Sequence, residues 1–418
     1  MFNTVEEAYD WLFQQKKLSK RKDLSRIERC CRELSLMPSF PMIHIAGTNG
    51  KGSTASYIKN ILKHTDRHVG LFVSPYVVCF NERIQINDRM ISNAEILYYA
   101  NQLKEYADGY FHKYADCIPF FELTLLMALW YFKDRKIDMA VIECGVGGLL
   151  DATNFLPYDL AVITNVGYDH MNTLGNTLEE IALHKLGIVK ENMTCLTCVE
   201  DALKPLFISY AERIHANMVF VDKEVKDISL KQHTWFTYKE VSYHAGLLAK
   251  YQAYNAALAI EAVRFIEPDI PYDLIQAGLE STFWPGRMEW VSHKPEILLD
   301  GAHNIHGIRG LVDSLKVLAA GRRVSVLFSA LHDKDFKAMI AELDSIAARY
   351  YFTTIEDKRS TEPMEFAKFT KRPYQIVSSY TECLDTAVKE LAEDELLLIT
   401  GSLHFISSVR SYLMNKIQ

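Results

Sequence analysis

Apolar residues recur at helical spacing over Val5–Gln15 and Leu24–Leu36, predicting two amphipathic helices at the start of the chain. The next apolar run, Pro41-Met-Ile-His-Ile-Ala46, is too short for a helix and runs into glycines, so it reads as a buried strand entering a turn. A helix over Ser53–His64 and a second strand over Val69–Ser74 follow, then helices near Ala94–Tyr106 and Phe121–Phe132. Met139–Ile142 and Leu160–Asn165 are apolar without alternation, the pattern of parallel strands covered on both faces. Between Asp227 and His244 threonines and aromatics alternate with polar residues, predicting a small antiparallel excursion. From Glu296 the strands Ile297–Leu299, Val324–Phe328, Tyr350–Thr354, Gln375–Val377 and Leu396–Thr400 alternate with helical segments, the rhythm of a second, smaller doubly wound domain. Trp284–Pro295, with two prolines and a glycine, reads as the linker, giving domains 1–292 and 296–418.

Composition narrows the class. At 418 residues the chain exceeds what one hydrophobic core usually organises. Its net charge of −7 supplies no overall drive toward nucleic acid or anionic lipid. The acidic, amphipathic N-terminus lacks the apolar core of a signal peptide, and no run of about 18 apolar residues occurs. A cytoplasmic protein, with no membrane or nucleic-acid partner, is the expectation. Eight cysteines in a chain this long are not a disulfide framework. Cys195 and Cys198 form a CxxC, but on a strand those positions point to opposite faces, so buried thiols are expected.

The chemistry is concentrated in Gly47-Thr48-Asn49-Gly50-Lys51-Gly52-Ser53-Thr54, between a predicted strand and a predicted helix. Glycines let backbone N–H groups turn toward phosphate oxygens, and the helix N-terminus adds its positive end. Lys51 is placed to reach the β- and γ-phosphates of a nucleotide. The loop departs from GxxxxGK[ST], since Ile45 holds the first glycine position and Gly52 separates Lys51 from Ser53. Glu143 follows Met139–Ile142 and His170 follows the Leu160–Asn165 strand, positions from which side chains face a phosphate site. Either is also compatible with a plain strand-end residue, and Lys185 alone reads as a solvated helix lysine.

Taken in order, these segments resemble the folylpolyglutamate synthase and dihydrofolate synthase family, a branch of the Mur ligases. The resemblance rests on GTNGKGST from Gly47, Ser74-Pro75, Asn81-Glu-Arg83-Ile84, Phe120-Phe121-Glu122, Glu143 with Gly145-Val-Gly-Gly148, and Leu150-Asp151-Ala-Thr-Asn154. It continues through Asp169-His170, Lys185, Trp284-Pro-Gly-Arg287, Asp300-Gly-Ala-His303-Asn304, Asp333-Lys-Asp335 and Thr400-Gly-Ser402. The fold implied is α/β: a P-loop-containing Mur-ligase-like central domain with a mainly parallel sheet, and a smaller Rossmann-like C-terminal domain. The activity implied is ATP-dependent addition of L-glutamate to a folate through an acyl phosphate, with dihydropteroate as an optional second acceptor. The residue roles come with it. Loop residues 47–54 with Asn255, Arg287 and Asp300 would bind ATP. Ser74 and Glu143 would hold one Mg²⁺. His170 would hold a second beside Lys185, which the family carbamylates with CO₂. Lys51, His170 and Lys185 would serve catalysis. Pro75, Arg83, Phe120, Phe121, Asp151, His303 and Ser402 would contact substrate. Phe120 and Phe121 also read as simple core. The resemblance further implies a monomer whose two domains close over the reactive intermediate.

Several positions depart from the family pattern: Leu149 where arginine is common, Tyr76 and Tyr251 where histidine is, His184 for glutamate, Ser329 for glycine and Ile305 for proline. Replacing a planar charged fork by leucine removes an anion contact. Two other readings follow: an ATP-binding paralogue with impaired catalysis, and a peptidoglycan-building Mur ligase. The second lacks room, since the loop begins at residue 47.

Overall fold

A computed structural model of the chain describes residues 1–16 and 23–417, and every apolar run read as a strand is one. The chain divides into two compact units that interleave along the sequence. Unit 1 comprises Met1–Asp222 with Leu258–Gly278, and unit 2 comprises Lys223–Ala257 with Leu279–Gln418. The sequence reading draws one boundary near residue 292. The difference is the antiparallel excursion, which groups with the C-terminal residues because Leu230 packs against their core and Lys250 N–H donates to Ser314 Oγ at 3.0 Å.

Unit 1 holds strands β1 (Met42–Ala46), β2 (Val69–Phe72), β3 (Ile84–Ile86), β4 (Arg89–Met90), β5 (Met139–Glu143), β6 (Leu160–Ile163), β7 (Thr194–Thr197) and β8 (Asn217–Phe220). They form one sheet in the order β4-β3-β2-β5-β1-β6-β7-β8, parallel from β2 to β8. Its helices are α1 (Val5–Gln14), α2 (Ser25–Glu33), α3 (Lys51–Leu62), α4 (Asn93–Tyr114), α5 (Phe120–Arg135), α6 (Met171–Leu174), α7 (Leu178–Leu186) and α8 (Lys204–Arg213). Strands β1, β5 and β6 are buried along their whole length, as non-alternating apolar runs require. Helix α4 begins at a Ser92–Glu95 capping box and runs eight residues beyond the predicted end at Tyr106. Asp108-Gly109 disfavours helix locally, but buried Tyr110, packed on Tyr106 and Tyr114, overrides that preference. The chain leaves β1 for β2, returns to β5 between them, and then crosses to β6. This reversal opens a crevice at the carboxyl ends of β5, β1 and β6, where ligands of such sheets bind.

Unit 2 holds a three-stranded antiparallel sheet, β9 (Val225–Leu230), β10 (Thr234–Tyr238) and β11 (Val241–Ala245), as the alternation predicts. Its second sheet contains β12 (Glu289–His293), β13 (Glu296–Leu299), β14 (Arg323–Phe328), β15 (Ala347–Thr354), β16 (Tyr374–Ser379) and β17 (Glu395–Thr400). The order is β12-β13-β17-β14-β15-β16, parallel except for β12. The proposed linker is therefore partly strand. Glu289 is buried there and fixed by Arg410 Nε at 2.9 Å and by Gly286 N–H at 2.8 Å, which holds the segment on the sheet. Helices α9 (Lys250–Ile266) and α10 (Tyr272–Glu280) contribute residues to both units.

All eight cysteines are free; of the CxxC pair expected to be buried, Cys195 is buried and Cys198 partly so. Among the described residues no helix is long and apolar enough to cross a membrane.

Candidate active site

The phosphate loop lies where β1 ends and α3 begins. Gly50 caps α3 with a left-handed φ of 82°, which glycine adopts without steric cost. Gly47 passes so close to β6 that a Cβ there would sit 1.8 Å from Thr164 Oγ1. The segment after β6 clasps the loop from outside. Thr48 N–H donates to Asn165 O at 3.1 Å, Asn49 N–H to Asn165 Oδ1 at 3.0 Å, and Thr164 Oγ1 to Asn49 O at 2.6 Å. Sequence reasoning took Thr164 and Asn165 only as the end of a strand. Their short polar side chains behind four apolar residues are the signal that marks them.

Lys51 Nζ folds back on its own loop, donating to Gly47 O at 3.0 Å, and lies 3.9 Å from Glu143 Oε1. Register places Glu143 beside Ile45, so the carboxylate emerges level with the loop. Glu143 is buried, and its Oε2 accepts from Ser74 N–H at 3.2 Å. The sheet thus brings together Lys51, Ser74 and Glu143.

His170 is exposed, at the N-terminus of α6, with its N–H donating to Asp169 Oδ1 at 2.8 Å. Lys185 overturns its solvated reading, being only 2% exposed. It stands one helical turn after buried Ile181 on α7, and that i,i+4 spacing is a sequence signal for burial. Burial, then the nearby positive charge of Lys51, pull its ammonium down to about 7, so much of it is a neutral amine near neutrality. Among the described residues no group of three or more His, Cys, Asp or Glu side chains converges on a metal site. A magnesium ion that keeps its waters and takes phosphate oxygens needs only one or two carboxylates, so Glu143 with Ser74 fits that donor set.

Arg83 is a further buried cation of unit 1. It is 7% exposed, and its Nε and Nη1 have no hydrogen-bond partner among the described residues. Its guanidinium instead lies over the rings of Tyr76 at 5.2 Å, Phe120 at 5.4 Å and Phe80 at 5.9 Å. Burial pulls Arg83 down to about 10, with the charges of Tyr76 and Glu143 opposing. Phe13 of α1 stacks on Phe120 at 5.7 Å and closes the box. Tyr76, Phe80 and Phe13 were not read as site residues, because only tertiary contact joins them. Phe121 packs on Phe72 at 5.7 Å and against Gly145, and Pro75 is exposed beside Ser74. Asp151 is buried, accepting from Val146 N–H at 2.9 Å and Thr153 Oγ1 at 2.6 Å. Its carboxyl pKa is raised by burial, against the hydrogen bonds it receives.

In unit 2, Asp300 is buried at the end of β13. It accepts from Ala302 N–H at 2.8 Å, Met288 N–H at 3.0 Å and Tyr251 OH at 3.2 Å. Burial raises its pKa, with the charge of Arg287 opposing. Asn255 Nδ2 donates to Gln252 Oε1 at 2.9 Å, and the His303 ring is 2.9 Å from Gly301 O. Ser402 is buried just before the C-terminal helix, Leu403–Ile417. Arg287, Asp300 and Tyr251 therefore gather at one end of the sheet.

The family model for the Mur ligase middle domain matches residues 120–263, and that for the Mur ligase glutamate ligase domain matches 286–403. The chain is 34% identical to a dihydrofolate synthase/folylpolyglutamate synthase of Bacillus subtilis, covering 99% of this chain and all of the relative. It is 33% identical to a folylpolyglutamate synthase of Lacticaseibacillus casei, covering 89% and 90%. Among solved structures, the Mycobacterium tuberculosis folylpolyglutamate synthase complexed with ADP aligns with a TM-score of 0.90 at 25% identity, covering 98% of each chain.

Proposed function

The chain belongs to the folylpolyglutamate synthase/dihydrofolate synthase family of Mur ligases, and from that premise we propose how its residues divide the work. It is an ATP-dependent ligase that joins L-glutamate to the carboxylate of a folate, forming a C–N bond and releasing ADP and phosphate. The observation that carries the residue assignment is the 3.9 Å approach of Lys51 to Glu143 at the mouth of the phosphate loop.

Loop residues 47–54 would cradle the triphosphate with their N–H groups, and Lys51 would move from Gly47 O to the β- and γ-phosphates. Ser74 and Glu143 would hold Mg²⁺, with His170 and Lys185 at a second ion. Bound there, magnesium supplies neutralisation of phosphate charge. Lys185 would act as a carbamate. A buried neutral amine can capture CO₂, which turns a cation that repels metal into an anion that binds it. Arg83 in its aromatic box would orient the folate through Nε and Nη1, which have no partner among the described residues, and Phe120 would line the same box. Phe121, Pro75 and Asp151 complete the substrate side of unit 1. Asn255, Arg287 and Asp300 of unit 2 are assigned to ATP, and His303 and Ser402 to substrate.

The folate carboxylate attacks the γ-phosphorus, the bond to the ADP oxygen breaks, and an acyl phosphate results. Lys51 stabilises the charge moving to the leaving oxygens. The neutral amine of glutamate then attacks the acyl carbon, and phosphate leaves with its oxygen. We assign the reaction to a monomer in the cytoplasm, with polyglutamation as the main activity and dihydropteroate as a second acceptor. Phosphate release from ATP, measured with tetrahydrofolate and with dihydropteroate, each with and without glutamate, tests this. Release with neither acceptor, despite ATP binding, identifies a catalytically impaired paralogue instead.

A further inference from the structure

His44 is fully buried in the middle of β1, two residues before the loop strand ends. Its Nε2 lies 2.7 Å from Thr153 Oγ1 and 3.0 Å from Cys144 Sγ, while its ring stacks on Tyr158 at 3.9 Å and 9°. Nδ1 has no partner among the described residues. Donor accounting fixes the direction of this chain. Asp151 Oδ1, 2.6 Å from Thr153 Oγ1, has no proton to give as a carboxylate, so the threonine hydroxyl donates to it. The hydroxyl oxygen must then accept from His44, which places the ring proton on Nε2 and leaves Nδ1 as an unmatched acceptor. A ring present only for packing would be better replaced by an apolar one, because a buried acceptor without a partner is unfavourable.

The other end of the chain reaches the site. Asp151 Oδ2 accepts from Val146 N–H at 2.9 Å and so fixes the turn that follows Glu143. That turn is locked to α7: Leu149 N–H donates to His184 O at 2.7 Å, and Asn154 Nδ2 bridges Leu149 O and Gly187 O at 3.0 and 3.1 Å. A Cβ on Gly148 would lie 2.8 Å from His184 O and 3.1 Å from Lys185 O, so turn and helix cannot slide independently. We infer that His44 is a positioning residue which, through Thr153 and Asp151, sets the turn after Glu143 and the helix end that carries Lys185.

The inference rests on the assignment of Glu143 and Lys185 to the metal site, and the experiment separates the two. His44→Phe keeps the stack on Tyr158 and removes the donor, His44→Gln returns an N–H near the Nε2 position, and Thr153→Val removes the bridging hydroxyl. Turnover per folded site, counted by bound ADP, is measured with KM for ATP and with Tm. His44→Phe and Thr153→Val should each lower kcat about tenfold or more with KM for ATP within about twofold, the signature of misplaced groups. His44→Gln should recover most of the loss. The double variant should be no slower than His44→Phe, since both break one chain. Undiminished kcat per site in Thr153→Val, which preserves shape, or multiplying losses in the double variant, overturns the inference. Glu143→Gln run in parallel tests the underlying assignment alone: full turnover there removes it whatever His44 does.

Discussion

Lys51 and Glu143 face each other across the ends of β1 and β5, Nζ 3.9 Å from Oε1, with the lysine also bonded to Gly47 O at 3.0 Å. Here the carboxylate and the loop carbonyl hold the ammonium; in the proposed mechanism nucleotide and magnesium would take their places. Glu143→Gln removes the charge at constant shape. It should keep nucleotide binding measurable by calorimetry while lowering kcat by about 100-fold or more, because only the transition state gathers the full charge. Lys51→Met should weaken binding and turnover together. A Glu143→Gln enzyme with normal kcat at saturating magnesium would remove Glu143 from the metal site.

Lys185 supplies a test that needs no substitution. Burial and Lys51 bring its ammonium down to about 7, so the amine proposed to capture CO₂ is abundant above that pH and scarce well below it. Enzyme stripped of CO₂ at pH 6 should lose activity and regain it on adding bicarbonate at pH 8, and a mass increase of one CO₂ should accompany the recovery. Lys185→Ala should lose turnover and be partly rescued by a short carboxylic acid. Activity indifferent to CO₂ throughout would leave Lys185 as an uncarbamylated amine.

Much of this was legible in the sequence, and the failures have a common cause. The loop, β1, β5 and β6 were readable because a parallel strand buried on both faces is a local apolar run, and Glu143 was placed by its position after one. The box around Arg83 was not, because it joins Phe13, Tyr76, Phe80 and Phe120 from three distant segments. The two units interleave where the sequence reading draws one boundary, because 223–257 groups with the C-terminal residues, and the prolines and glycine near residue 290 border strand β12. Burial of Lys185 could have been read from its i,i+4 relation to Ile181, but the charge of lysine outweighed that pattern.

The proposed folate contact of Arg83 would set function against stability. Two of its buried nitrogens have no partner among the described residues, which leaves a desolvation penalty unbalanced there. Arg83→Met, of similar length and apolar, should raise Tm while raising KM for the folate by about tenfold or more, as expected when a charged hydrogen bond to a ligand is lost. A lowered Tm with unchanged KM would make Arg83 a structural residue.

Lys59 gives the pH dependence of stability. It is 5% exposed on α3, and its Nζ donates to Gln85 Oε1 at 3.2 Å. Burial pulls its pKa down to about 8, with the charge of Asp88 opposing. The unfolded lysine titrates near 10.4, so between about 8 and about 10.4 the unfolded chain binds more protons and stability rises with pH. Below 8 both states are protonated and the full penalty of burying the charge persists. Relative to Lys59→Met, the wild type should therefore gain Tm as pH rises from 8 to 10 and show a constant difference between pH 6 and 7. A difference that is flat across the whole range would mean that this lysine is not desolvated.

Leu149 is 47% exposed between Gly148 and Leu150, on the turn bonded to α7 through His184. Its neighbours Leu150 and Leu183 are also exposed, so the rim here is apolar where a charged fork would hold an anion. An exposed side chain can change with little effect on folding, and Leu149→Arg should leave stability within about 0.5 kcal/mol of the wild type. Its guanidinium would offer paired donors to a carboxylate. KM for folates carrying a glutamate tail should fall about threefold to tenfold, the range of one solvent-exposed hydrogen bond or ion pair, while KM for dihydropteroate, which lacks that tail, stays unchanged. Equal effects on both acceptors would place the new charge on ATP rather than on the tail, and no effect on either would mean that Leu149 replaces no contact at all.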